Sequence, residues 1–173
     1  MASISRAAAI ATTATLVALA LSPARPTRAQ EVVSILDQKE WSVAGVGISA
    51  DEYGTCAATD ASQADADIWL QVTETPFQNI INEVSVMHPG DAQATAAILR
   101  IGNDRFILAA TDGDRFSSAA SDGGKIVAAM LKNASLTLQF DGVSAPQPYS
   151  YDLAEFPAAY AALVQHCRAP ATP

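Results

Sequence analysis

Basic side chains are scarce in this chain: 10 Lys and Arg face 18 Asp and Glu in 173 residues, a formal charge of −8. A nucleic-acid binder neutralises phosphates with the opposite sign, so the composition argues against that class. Histidine and cysteine occur only twice each, as His88, His166, Cys56 and Cys167. The motifs G-x-S-x-G, H-E-x-x-H, G-x-x-x-x-G-K-[ST] and G-x-G-x-x-G are missing. Their absence removes the better-marked hydrolase, zincin and nucleotide-site chemistries. There is no C-x-x-C pair either, which argues against a thiol redox role. Mean hydropathy of +0.16 is too high for a disordered acidic tail and too low for a multispan membrane protein.

What is present begins with a leader. Arg6 supplies a short positive region, and Ala7 to Leu21 form an uncharged apolar stretch of 15 residues. A spanning helix needs about 20. Ser22, Pro23 and Pro26 break the stretch, and Thr27 and Ala29 are small enough for the −3 and −1 positions of a signal-peptidase site. Residues 1–29 are therefore expected to be a cleaved signal peptide, and residues 30–173 a single exported β-rich domain with no integral membrane segment. Removing the leader takes Arg6, Arg25 and Arg28 and no acid, so 10 basic residues fall to 7 and the charge deepens from −8 to −11. Such a domain favours cationic partners and disfavours anionic membrane surfaces.

Both cysteines lie in the mature part, and an even count in an exported chain points to one disulfide, Cys56–Cys167. It would tie an early strand to the last element.

Between the cysteines, alternation dominates. Trp41 to Ile48 and Thr55 to Ala58 read as strands, separated by a turn at Asp51–Gly54. Asp60 to Asp67 read as a polar acidic loop. Ile68, Leu70 and Val72 then place a period of two over residues 68–74. Ile80 to Met87 form another strand, and His88-Pro-Gly-Asp91 a turn. Ala97–Ile101 and Arg105–Ala109 form a hairpin about Gly102-Asn-Asp104, followed by a turn at Asp112–Arg115. Lys125 to Lys132 are helical, with Ile126, Val127, Met130 and Leu131 on one face and Asp122 or Gly123 near the N-terminus. Leu136, Leu138 and Phe140 alternate, and residues 149–153 extend again. The last helix has Pro157 in its first turn and Phe156, Tyr160, Leu163, Val164 and Cys167 at helical spacing. The expected fold is mainly β: an antiparallel β-sandwich or curved sheet with two short helices, one of them C-terminal.

Chemistry-bearing residues are few. His166 and Cys167 are neighbours, but adjacent helix positions point apart, so a nucleophile–base pair is not expected. Asp65 with Asp67, and Asp112 with Asp114 and nearby Asp122, set carboxylates on turns of the oxygen-rich kind that calcium uses. Neither segment has the twelve-residue calcium-loop spacing or its terminal Glu, so ordinary turn chemistry is the expected reading. Asn133-Ala-Ser135 matches a glycosylation sequon and is given no role. Trp41 and Trp69 sit in strand patterns, where core packing is the default, whereas partial exposure would mark a partner surface.

In this order the parts resemble the invasion-associated locus B family of exported bacterial proteins. Trp41-Ser-Val and then Thr55-Cys-Ala-Ala58, a His-Pro-Gly turn at 88–90, the strand Leu136-Thr-Leu-Gln-Phe140, and Tyr151 to Tyr160 running on to Cys167 carry the resemblance. The first strand lacks a further cysteine associated with many members, and Glu155 stands where glycine is common. The resemblance implies no catalytic residues, metal or cofactor. It implies a non-enzymatic periplasmic or secreted binding protein with a protein or envelope partner. An inhibitor or immunity-type protein that blocks a periplasmic enzyme is the alternative. Asp65, Asp67 and Trp69 are the candidate partner surface.

Overall fold

The computed structural model describes residues 31–49, 52–88, 94–143 and 148–167. The leader 1–29, Asp51 of the first turn and residues 89–91 of the His-Pro-Gly turn lie outside them. Among the described residues ten strands form one antiparallel sheet that does not close into a barrel. They are β1 (Glu31–Asp37), β2 (Trp41–Ser49), β3 (Glu52–Asp60), β4 (Trp69–Thr75), β5 (Ile80–Met87), β6 (Ala96–Ile101), β7 (Asp104–Asp112), β8 (Arg115–Ser117), β9 (Ser135–Asp141) and β10 (Tyr149–Asp152). Their order across the sheet is β1-β2-β3-β4-β5-β8-β7-β6-β9-β10. The described residues also form two α-helices, α1 (Gly123–Met130) and α2 (Phe156–Cys167). The expectation of a mainly β, strongly curved antiparallel sheet with a C-terminal helix is met.

The curvature can be measured from contacts. β2 and β10 stand eight places apart, about 38 Å in a flat sheet at about 4.8 Å per strand. Yet the Trp41 indole Nε1 donates to the Asp152 carbonyl at 3.4 Å. β9 lies four places from β5, but the Phe140 ring stacks on His88, just beyond β5, at 4.7 Å. The sheet therefore curls until its two halves face one another. Inward residues alternate along the strands: Ile68, Leu70 and Val72 ahead of and along β4, and Leu136, Leu138 and Phe140 along β9, are all buried. With Trp41, Val43, Phe116, Tyr151 and Phe156 they form one continuous core.

The helices fill what the curl leaves open. Ile126, Val127 and Met130 of α1 are buried as their spacing requires, while Leu131, expected on the same face, is exposed just past the helix end. Asp122 occupies the N-cap position without capping through its side chain, and its carboxylate instead accepts from Lys125 Nζ at 2.8 Å. A Cβ on Gly123 would run into the Asn82 carbonyl oxygen, so only glycine lets α1 approach β5 this closely. Phe156, Ala159, Leu163 and Cys167 are the buried stripe of α2. The Cys56–Cys167 disulfide is formed and joins β3 to the end of that helix.

Several local expectations are corrected. Residues 31–37 form a strand not read from the sequence, and Arg115–Ser117 is a strand rather than only the end of a turn. The β6–β7 turn is two residues long, because Ile101 pairs with Asp104 and Gly102 carries the positive φ of +58°. Asp60 is not loop: it closes β3, opposite both Trp41 and Leu70, and is fully buried.

Candidate functional site

The link from β3 to β4 begins where Asp60 Oδ1 accepts the Ser62 backbone N–H at 2.7 Å. Gln63 Nε2 donates to the Ser150 carbonyl at 3.0 Å, pinning the link to β10. A 3-10 turn follows at Ala64–Ala66, closed when Asp67 turns left-handed (φ 55°) and donates to the Ala64 carbonyl at 2.9 Å. Ile68, fully buried, anchors the far side. The result is a short, internally bonded turn on which Asp65 and Asp67 are both exposed. Trp69 follows on the face opposite buried Leu70 and is half-buried, so it belongs to the outer surface, whereas Trp41 is fully buried core. Of the expected partner-surface residues, the structure brings Asp65, Asp67 and Trp69 to the same end of the sheet.

Under this turn lies polar chemistry that sequence patterning missed. Glu155 Oε2 accepts the backbone N–H groups of Glu40 at 3.0 Å and Trp41 at 3.3 Å, holding the start of β2 against the start of α2. That carboxylate stands where the family resemblance led one to expect glycine. Asp60 Oδ2 and the Tyr151 hydroxyl are buried with no hydrogen-bond partner among the described residues. Burial pushes the Asp60 carboxyl above its ordinary value, the Ser62 hydrogen bonds oppose the rise, and the nearby Glu40 and Glu155 charges add to it. Burial, with the Asp60 charge behind it, also raises the Tyr151 hydroxyl.

These shifts have a stability consequence. A carboxyl whose pKa is higher folded than unfolded contributes stability that is complete below the unfolded value and lost as pH rises through the folded one. Asp60→Asn keeps an acceptor for Ser62 and removes the titration. In urea melts from about pH 3 to about pH 8, the wild type is expected to lose stability relative to this variant as pH climbs. Parallel curves would remove Asp60 from the account.

At the other end of β4, about 20 Å away by strand rise, a second feature was not foreseen. Thr75, Pro76 and Asn79 make a tight 3-10 turn into β5, with Asn79 left-handed (φ 56°) and its N–H donating to the Pro76 carbonyl at 2.9 Å. The turn presents Phe77 at 68% exposure and leads to Ile81 at 41%. Beside it lies a cavity of about 410 Å³ lined by Asn79, Ile80, Ile81, Glu83, Ser118 and Ala120. Glu83 Oε1 accepts from Arg115 Nη2 at 3.1 Å and from the Ser117 hydroxyl at 2.9 Å. The only sequence signal for this site is a pair of consecutive isoleucines at the head of a strand, of which alternation can bury just one.

The remaining candidates are dispersed. His166 is exposed in the last turn of α2, and Cys167 is committed to the disulfide. Asp112 and Asp114 flank Gly113 at an exposed turn; among the described residues no three His, Cys, Asp or Glu side chains gather as a metal site. Among the described residues no helix is long and apolar enough to cross a membrane. No known family model, curated protein or solved structure matches the chain.

Proposed function

We propose that the protein is an exported binding module, periplasmic or secreted, of the kind implied by its resemblance to the invasion-associated locus B family. Its acidic turn is the contact surface for a basic protein or envelope partner. The observation that carries this reading is the rigid presentation of Asp65 and Asp67. Their turn is bonded internally and to β10, so little freedom remains to be lost on binding. The leader-like segment 1–29 and the buried disulfide support an oxidising, extracytoplasmic setting. The same turn also suits the inhibitor or immunity-type role, with Asp65 and Asp67 laid against the basic site of a periplasmic enzyme.

The test is affinity capture from envelope extracts with the wild type and with Asp65→Asn/Asp67→Asn. Asn tolerates the left-handed conformation at 67, so the turn survives the change. Capture is expected to fall about tenfold in the variant and to weaken with salt, as contacts between opposite charges do. A captured hydrolase that regains activity on release would identify the inhibitor form. Equal capture by both proteins would reject the acidic turn.

A further inference from the structure

The polar groups under the acidic turn lie on a seam, where the end of β10 and the start of α2 close over the start of β2 and the end of β3. Glu155 Oε2 accepts the Glu40 and Trp41 N–H groups across this seam. The Trp41 indole donates to the Asp152 carbonyl, and Gln63 Nε2 to the Ser150 carbonyl. The Trp41 ring against Phe156 adds an apolar contact. We propose that the seam is a proton-controlled latch, independent of any partner at the acidic turn. It is shut while the Asp60 carboxyl is neutral, and it opens, with residues 151–156 lifting from Trp41 and Asp60, when that carboxyl ionises.

Asp60 is fully buried, and its surroundings suit a neutral carboxyl better than a charged one. Oδ1 accepts from the Ser62 N–H at 2.7 Å, and Oδ2 has no hydrogen-bond partner among the described residues. Glu40 of the β1–β2 turn and Glu155 at the head of α2 are acids whose charges act on it. From β4 the facing residue is Leu70, and from β10 comes the Tyr151 hydroxyl, itself buried and without a partner among the described residues. Lys39 points outward at 83% exposure and pairs with Glu40 rather than with Asp60. Ionised, Asp60 is a buried charge without a counterion, a cost that water entering the seam relieves.

The opening is confined by the way the pieces are tied. β10 is an edge strand of four residues, paired with β9 alone. The rest of α2 is held by the Cys56–Cys167 bridge at its far end and by the Tyr160 hydroxyl donating to Asn82. Water therefore reaches Asp60 when a short, polar-bonded segment lifts, while the sheet and most of the helix stay in place.

The experiment is residue-resolved amide hydrogen exchange on the folded, oxidised protein from about pH 4 to about pH 8, corrected for intrinsic exchange rates. Protection of the Glu40 and Trp41 amides is expected to fall as pH climbs. The open form ionises at the ordinary carboxyl value and the closed form only at a raised one, so between the two the fall is up to about tenfold per pH unit and then levels off. Low urea separates the latch from global unfolding. Exchange at Glu40 and Trp41 should hardly respond to it, because little surface opens, whereas Leu99 and Leu108 in the central strands β6 and β7 should be better protected and respond steeply. Asp60→Asn keeps the Ser62 acceptor without the charge, so its seam protection should not vary with pH. Glu155→Gln keeps both acceptor bonds and removes one neighbouring charge, so the loss should level off at lower pH. Seam protection that ignores pH in the wild type, or the same pH dependence in Asp60→Asn, would overturn the proposal. So would seam amides that share the protection and urea response of Leu99 and Leu108, or a Glu155→Gln profile that levels off where the wild type does.

Discussion

Replacing Cys56 and Cys167 together by alanine is expected to lower the unfolding free energy by about 2–5 kcal/mol. The bridge spans 111 positions, which in the chain-entropy picture places it near the top of that range. It ties the last residue of α2 to the inward face of β3, and both cysteines are buried. Other contacts also hold the helix: Phe156, Ala159 and Leu163 are buried, and Tyr160 donates to Asn82 Oδ1 at 2.8 Å. The double variant should therefore keep its secondary structure while its denaturation midpoint falls. Its denatured state is no longer cross-linked, so the denaturant slope should rise as more surface is exposed on unfolding. Because the sulfurs are enclosed, reductant alone should act slowly on the native protein and quickly only near the midpoint of unfolding. An unchanged midpoint would mean that packing alone secures α2.

Strands with clean alternation were readable from sequence, because period two places every second side chain in the core wherever the strand ends up. β4 and β9 show this, as does the pairing of two lone cysteines. What escaped reading depends on distant partners. β1 carries a bulge between Ser34 and Leu36 that breaks its period, and β8 has only three residues, bonded to β5 and β7. Asp60 is polar and precedes a polar loop, yet the return of β10 and α2 seals it in. Phe77 and Ile81 are large and apolar yet exposed, since hydrophobicity alone cannot say which side of a turn the sheet will cover. The candidate surfaces divide in the same way. The acidic turn is visible as a run of aspartates, whereas the cavity beside Ile80 and Ala120 exists only once β5 meets the segment after β8.

Trp41→Ala is expected to cost about 3–5 kcal/mol, the range for removing a large buried aromatic. Trp41 opens β2, is fully buried, and its ring meets Phe156 of α2 with centroids 4.8 Å apart. Its indole N–H reaches the β10 carbonyl of Asp152, and its backbone N–H is held by Glu155. One side chain thus meets both β10 and α2, at the place where the two halves of the curled sheet close. Trp41→Phe keeps most of the apolar contact and loses the indole hydrogen bond, so it should cost less, by the difference between a cavity and one neutral hydrogen bond of about 1 kcal/mol. Trp69 stays in both variants as a fluorescent reporter for denaturant titrations. A double-mutant cycle with Phe156→Leu should show a coupling of about 0.5–1.5 kcal/mol, as for other aromatic pairs. If Trp41→Ala costs less than about 1 kcal/mol, the closure is held elsewhere, and the Glu155 bonds to the start of β2 become the next place to look.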